Sequence, residues 1–129
     1  MSYKELSGLT LAYIGDGYYE LMIRMLLVDK GLTKVNDLHK HAIKYTSGEA
    51  QKRIIEYFIN NNLLTEEEIM VFKRGRNIHT AQNRKNISLQ DYQKATGFEA
   101  LIGYLYLDGK TERINEIIKI IDQIVSVVI

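Results

Sequence analysis

A chain of 129 residues holds one compact domain and is too short for two ordinary ones, so a single core over residues 1–129 is expected to carry every activity. Cysteine is absent, which excludes disulfides, thiolate zinc sites and cysteine nucleophiles. Proline is absent as well, so helices can run without ring clashes; with neither a membrane-length apolar run nor a secretory leader, the expectation is an all-α domain with a cytoplasmic address and no membrane partner.

The net charge of +1, from 17 Lys+Arg against 16 Asp+Glu, by itself argues against a nucleic-acid partner. Its distribution argues the other way. Residues 69–90 contain no Asp or Glu, while Lys73, Arg74, Arg76, Arg84 and Lys85 supply five positive charges with His79 among them. The remainder carries 12 positive against 16 negative charges, so one basic segment stands out from an acidic background.

Helical signals dominate in chain order. Over residues 9–27, Leu9, Ala12, Tyr13, Leu21 and Met25 recur with their neighbours at three- and four-residue spacing, ahead of a Lys30-Gly31 stop. Gly15 and Gly17 lie inside this helix, and a pair of helix-interior glycines predicts close approach of another backbone. Residues 36–45 read as a shorter second helix. Thr46-Ser47-Gly48-Glu49 has the capping-box form and opens a third, which runs to the Asn60-Asn61-Asn62 triplet. Thr65-Glu66-Glu67-Glu68 opens a fourth toward Gly75 by the same device, with its acids at the positive end of the helix dipole. The basic stretch 76–86 reads as a loop. Ser88-Leu89-Gln90-Asp91 starts a fifth helix that ends at Asp108-Gly109, and the sixth runs from about Thr111 with Ile114, Ile117, Ile118, Ile121, Ile124 and Val125 on one face.

Two carboxylates stand where a core is expected. Asp16 is embedded in Tyr13-Ile14-Gly15-Asp16-Gly17-Tyr18-Tyr19, a setting in which burial of a lone carboxylate is costly. Glu20, one turn on, has Arg24 four residues later as a local partner. Glu99 is the sharper anomaly: residues 95–107 are otherwise uncharged, and its neighbours at three and four residues are Ala95, Thr96, Ile102 and Gly103. Its partner must come from another helix or from a cation, and Asp16 is the obvious companion. Oxygen ligands without cysteine favour Mg²⁺ or Mn²⁺ over zinc.

The segment Leu11-Ala12-Tyr13-Ile14-Gly15-Asp16-Gly17-Tyr18-Tyr19-Glu20 resembles the signature helix of ribonuclease III catalytic domains. Thr96-Gly97-Phe98-Glu99-Ala100-Leu101-Ile102-Gly103-Tyr104-Leu105-Tyr106-Leu107-Asp108 resembles their second acidic motif. Across nearly the whole chain, including Lys73-Arg74-Gly75-Arg76-Asn77, the likeness is to the short bacterial form that lacks a double-stranded RNA-binding domain. The resemblance implies a ribonuclease III endonuclease-domain-like helical fold and a homodimer that hydrolyses double-stranded RNA with Mg²⁺, Mn²⁺ substituting. It further implies maturation of ribosomal RNA precursors, with the large-subunit 23S species as target. By the same likeness Asp16 and Glu99 are the catalytic, metal-holding carboxylates. Tyr13 takes the place of an interface aromatic. Lys73, Arg74, Arg76, Asn77, Arg84 and Lys85 are the RNA-binding set, suited to phosphates and ribose across an A-form minor groove. Two departures stand out: Ala12 replaces a glutamate four residues before the aspartate, and Thr96 an aspartate three before the glutamate. A non-catalytic RNA-binding or scaffolding domain on the same fold is therefore the alternative.

Overall fold

The computed structural model describes residues 2–77 and 88–127, and among them every regular element is helical. A 3-10 turn (Tyr3–Glu5) leads into α1 (Gly8–Asp29), followed by α2 (Val35–Thr46), α3 (Gly48–Asn60), α4 (Glu66–Arg76), α5 (Leu89–Leu107) and α6 (Thr111–Val127). Side chains fix the helix starts. Ser7, Ser47, Thr65 and Ser88 each accept a hydrogen bond from the amide three residues on, at 3.1 Å in every case. At Thr65 the capping box is complete, because the Glu68 carboxylate accepts from the Thr65 amide at 2.9 Å. The stops at Gly31 and Gly109 also hold, with φ of 102° and 75°.

The start of α3 differs from its reading in the sequence. Ser47 is the cap, whereas Thr46 is the last residue of α2 and turns its hydroxyl back to the Ala42 carbonyl at 3.0 Å. Two hydroxyl residues stand side by side, and the capping-box pattern selects the wrong one. Glu49 instead pairs with Arg53 at 3.0 Å.

Buried without a break from Ala95 to Leu105, α5 is the axis of the core, with α1, α3 and α4 laid against it. The α6 face read from the sequence, Ile114, Ile117, Ile118, Ile121, Ile124 and Val125, is buried throughout. Helices α1 and α5 meet backbone to backbone. A Cβ added at Gly15 would lie 1.7 Å from the Glu99 carbonyl oxygen, and one at Gly103 would lie 2.0 Å from that of Leu11. Only glycine permits this crossing. At Gly17 no described residue comes within 4 Å of the Cβ position.

The buried face of α1 is Leu11, Ala12, Gly15, Tyr19, Ile23 and Leu27. Of the apolar residues that mark this helix in the sequence, Leu9, Tyr13, Leu21 and Met25 are exposed, Tyr13 at 81%. At four-residue spacing, with Val28 also exposed, they form a second apolar stripe that faces out of the protomer.

Candidate active site

The Gly15 contact places the two sequence-marked carboxylates at one helix crossing. Gly15 rests on the carbonyl of Glu99, and Asp16 is the next residue. Asp16 is exposed, contrary to the burial that its aromatic neighbours suggest: those side chains alternate around the helix, and its own projects to solvent. Glu99 is buried at 4% exposure, as the charge-free surroundings predict. One partner comes from another helix. Gln51 of α3 donates its Nε2–H to Glu99 Oε2 at 3.5 Å and to the Thr46 carbonyl at 3.3 Å. The Thr46 carbonyl is a pure acceptor, which fixes the orientation of the amide, so the nitrogen faces it. That leaves Gln51 Oε1, a buried acceptor with no hydrogen-bond partner among the described residues.

The junction between α2 and α3 supplies the walls. The last carbonyls of a helix lack intrahelical donors, and here side chains serve them: Tyr19 donates its hydroxyl to Tyr45 O at 2.9 Å, and Gln51 serves Thr46 O. Burial raises the Tyr19 phenol well above its ordinary value, and the charges of Glu20 and Glu99 push in the same direction. Tyr19 is therefore a neutral donor beside the carboxylates. Glu20 pairs with Arg24 at 3.2 Å, as the four-residue spacing anticipates.

The two replaced positions are closed. Ala12 is buried, and Thr96, also buried, spends its hydroxyl on the Tyr92 carbonyl of its own helix at 2.9 Å. No three His, Cys, Asp or Glu side chains gather into a cation site among the described residues. Carboxylate and neutral amide oxygens, such as those of Asp16, Glu99 and Gln51, are hard donors of the kind that suits Mg²⁺ or Mn²⁺ and not a thiophilic metal.

The basic residues begin on the last turn of α4. Lys73 and Arg74 are exposed, and the Arg74 guanidinium donates to the Leu6 carbonyl, tying down the N-terminal segment. Arg76 lies over the Phe72 ring, 5.7 Å from its centroid, and bonds the side chain of Asn77 at 3.0 Å. Arg84 and Lys85 lie outside the described residues. Gln51 was missed in the sequence, although the signal is there: it stands on the same face as Ile54, Ile55 and Phe58, three, four and seven residues on.

Among the described residues the fold is all-helical, and the ribonuclease III domain family matches residues 9–110. The chain belongs to the ribonuclease III family, in its Mini-ribonuclease 3 branch, and is an endoribonuclease acting on double-stranded RNA. It is 47% identical to the Mini-ribonuclease 3 of Enterococcus faecalis over 116 residues, which covers 90% of this chain and 88% of that one. With the Mini-ribonuclease 3 of Clostridium tetani it shares 49% identity over 92% of this chain and 78% of the relative. A crystal structure of a Fusobacterium nucleatum protein, 34% identical, superposes with a TM-score of 0.81 over 93% of this chain and 94% of the other. The enzyme reading therefore takes precedence over the scaffold alternative.

Proposed function

We propose that residues 1–129 form one catalytic unit that cuts double-stranded RNA with a divalent cation, Mg²⁺ or Mn²⁺, held by Asp16 and Glu99. The observation that carries this reading is Glu99 itself. A carboxylate buried in an apolar helix, met by an amide, on a helix whose backbone touches that of α1 one residue from Asp16, is costly to keep for packing alone. When bound, the cation supplies charge neutralisation at the scissile phosphate and activation of water. The chain's own residues do the rest. Asp16 presents its carboxylate at the solvent side, Glu99 anchors the site from below, and Tyr19 braces the end of α2 that carries Thr46. Lys73, Arg74, Arg76 and Asn77, continued by Arg84 and Lys85, meet phosphates and ribose and so select duplex shape over sequence.

The products are 5′-phosphate and 3′-hydroxyl ends. A duplex presents two strands related by symmetry, so two copies of the site are needed, and the exposed stripe of α1 with Tyr13 at its head supplies a surface for a second copy. The substrate in the cell is the large-subunit 23S ribosomal RNA precursor, processed in the cytoplasm, as the resemblance implies. Incubation with a long RNA duplex, with and without Mg²⁺, tests the reading. Discrete shortening only with Mg²⁺, and ends that accept ligation at the 5′ side without prior phosphorylation, are expected. Cleavage in excess EDTA, or 3′-phosphate ends, contradict it.

A further inference from the structure

Gln51 is 1% exposed and stands in the apolar face of α3, where a leucine or methionine would pack without any polar cost. Its hydrogen bonds are long, at 3.3 and 3.5 Å, and its oxygen has no partner among the described residues. Buried acceptors are seldom left so, because each keeps the full penalty of leaving water. The residue is therefore poorly explained as a stabilising element. What distinguishes its position is the contact with Glu99.

We propose that Gln51 is a positioning residue for the buried carboxylate of Glu99, which it holds from α3 through its amide N–H while reserving its amide oxygen as a neutral donor for the divalent cation. The inference rests on the metal reading above and deepens it. Mg²⁺ and Mn²⁺ take about six oxygens, whereas Ala12 and Thr96 withhold donors at the two replaced positions and no third acidic or histidine ligand joins Asp16 and Glu99 among the described residues. The unpartnered oxygen of an amide whose N–H meets Glu99 would partly restore the donor set without adding charge that would have to be buried. Groups that orient a metal ligand are worth 10- to 100-fold in affinity as an order-of-magnitude rule.

The test is Mn²⁺ binding to the RNA-free protein, read from the electron paramagnetic resonance signal of the free ion, together with the Mg²⁺ dependence of duplex cleavage. Gln51→Met keeps size and loses both polar atoms. It is expected to weaken Mn²⁺ binding about 10-fold or more, to raise the Mg²⁺ concentration for half-maximal kcat by a similar factor, and to leave KM for duplex unchanged. A lower melting temperature without a loss of Mn²⁺ affinity is what a purely structural glutamine would give. Gln51→Glu keeps an oxygen and should recover most of the lost affinity. Should Gln51→Met fail to fold, Gln51→Leu serves the same comparison. Wild-type Mn²⁺ affinity in the Met or Leu variant, with affinity lost in Glu99→Gln, overturns the inference and leaves the metal reading standing. A Gln51→Glu protein as weak as Gln51→Met also overturns the role of the oxygen. Wild-type affinity in Glu99→Gln removes the metal reading itself.

Discussion

Glu68 occupies on α4 the kind of position that Gln51 occupies on α3: Val71, Phe72 and Gly75 follow it at three, four and seven residues, on a buried face. Its surroundings are the opposite. The Glu68 carboxylate closes the capping box and receives Arg113 of α6 through Nε at 2.8 Å and a terminal guanidinium nitrogen at 2.9 Å. Burial pushes the carboxyl up, but the Arg113 guanidinium and the Thr65 amide outweigh it and hold the group below its ordinary value. A depressed carboxyl contributes stability that is present above its unfolded pKa and lost as pH falls through its folded one. Glu68→Gln should therefore cost about 2 kcal/mol at neutral pH, because Arg113 is left half-paired in a partly buried place. The loss should shrink as pH falls below about 4.3, the ordinary glutamate value, where the unfolded chain takes up the proton first and the folded group follows at lower pH. Urea unfolding at pH 7 and pH 3.5 checks both statements; an equal loss at the two values contradicts them. Lys73, with its charge in solvent, is the cleaner probe of RNA contact. Lys73→Gln should lower the slope of log affinity against log salt by about one phosphate contact, and an unchanged slope in a filter-binding series returns it to a solvated surface charge.

The contact of α1 with α5 sets how Asp16 and Glu99 lie relative to each other. Gly15→Ala and Gly103→Ala each drive a methyl into a backbone carbonyl, at 1.7 and 2.0 Å, and neither helix can yield without separating Asp16 from Glu99. Both variants should lose several kcal/mol of stability, as overpacking against rigid backbone does. Gly17→Ala, with no described residue within 4 Å of the Cβ position, should leave the protomer's helical content intact; circular dichroism with urea titration compares the three. The helices themselves were legible because their starts and stops are local: Ser88, Thr65, Gly31 and Gly109 each act within one turn of chain. The α6 stripe and the anomaly of Glu99 were legible from periodicity and charge. The helix pairings were not, since nothing in the spacing of Gly15 names Glu99 as its neighbour. For the same reason Gly17 and Gly15 look alike in the sequence and differ in the fold. Arg113 and Gln51 escaped notice because each joins helices far apart in the chain, to Glu68 and to Glu99.

For the molecule as a whole, the two faces of α1 divide the labour. One packs on α5; the other, from Leu9 through Tyr13 and Leu21 to Met25, is apolar and exposed. In a symmetric dimer Tyr13 becomes a buried aromatic anchor, the kind of residue whose truncation costs about 2 kcal/mol or more at an interface. Tyr13→Ala should shift the sedimentation profile toward monomer at micromolar concentration and convert residual duplex cutting into single-strand nicks. A wild-type protein that sediments as a monomer yet makes double-strand cuts contradicts the dimer. The central claim, that Asp16 and Glu99 together form the catalytic centre, is tested most directly by single-turnover cleavage of a defined RNA duplex at saturating Mg²⁺ with Asp16→Asn and Glu99→Gln. Each variant is predicted to retain the helical content and melting transition of the wild type while its cleavage rate falls at least about 100-fold, as loss of a metal-holding or second-layer group does. A folded variant of either kind that cuts at the wild-type rate would contradict the account.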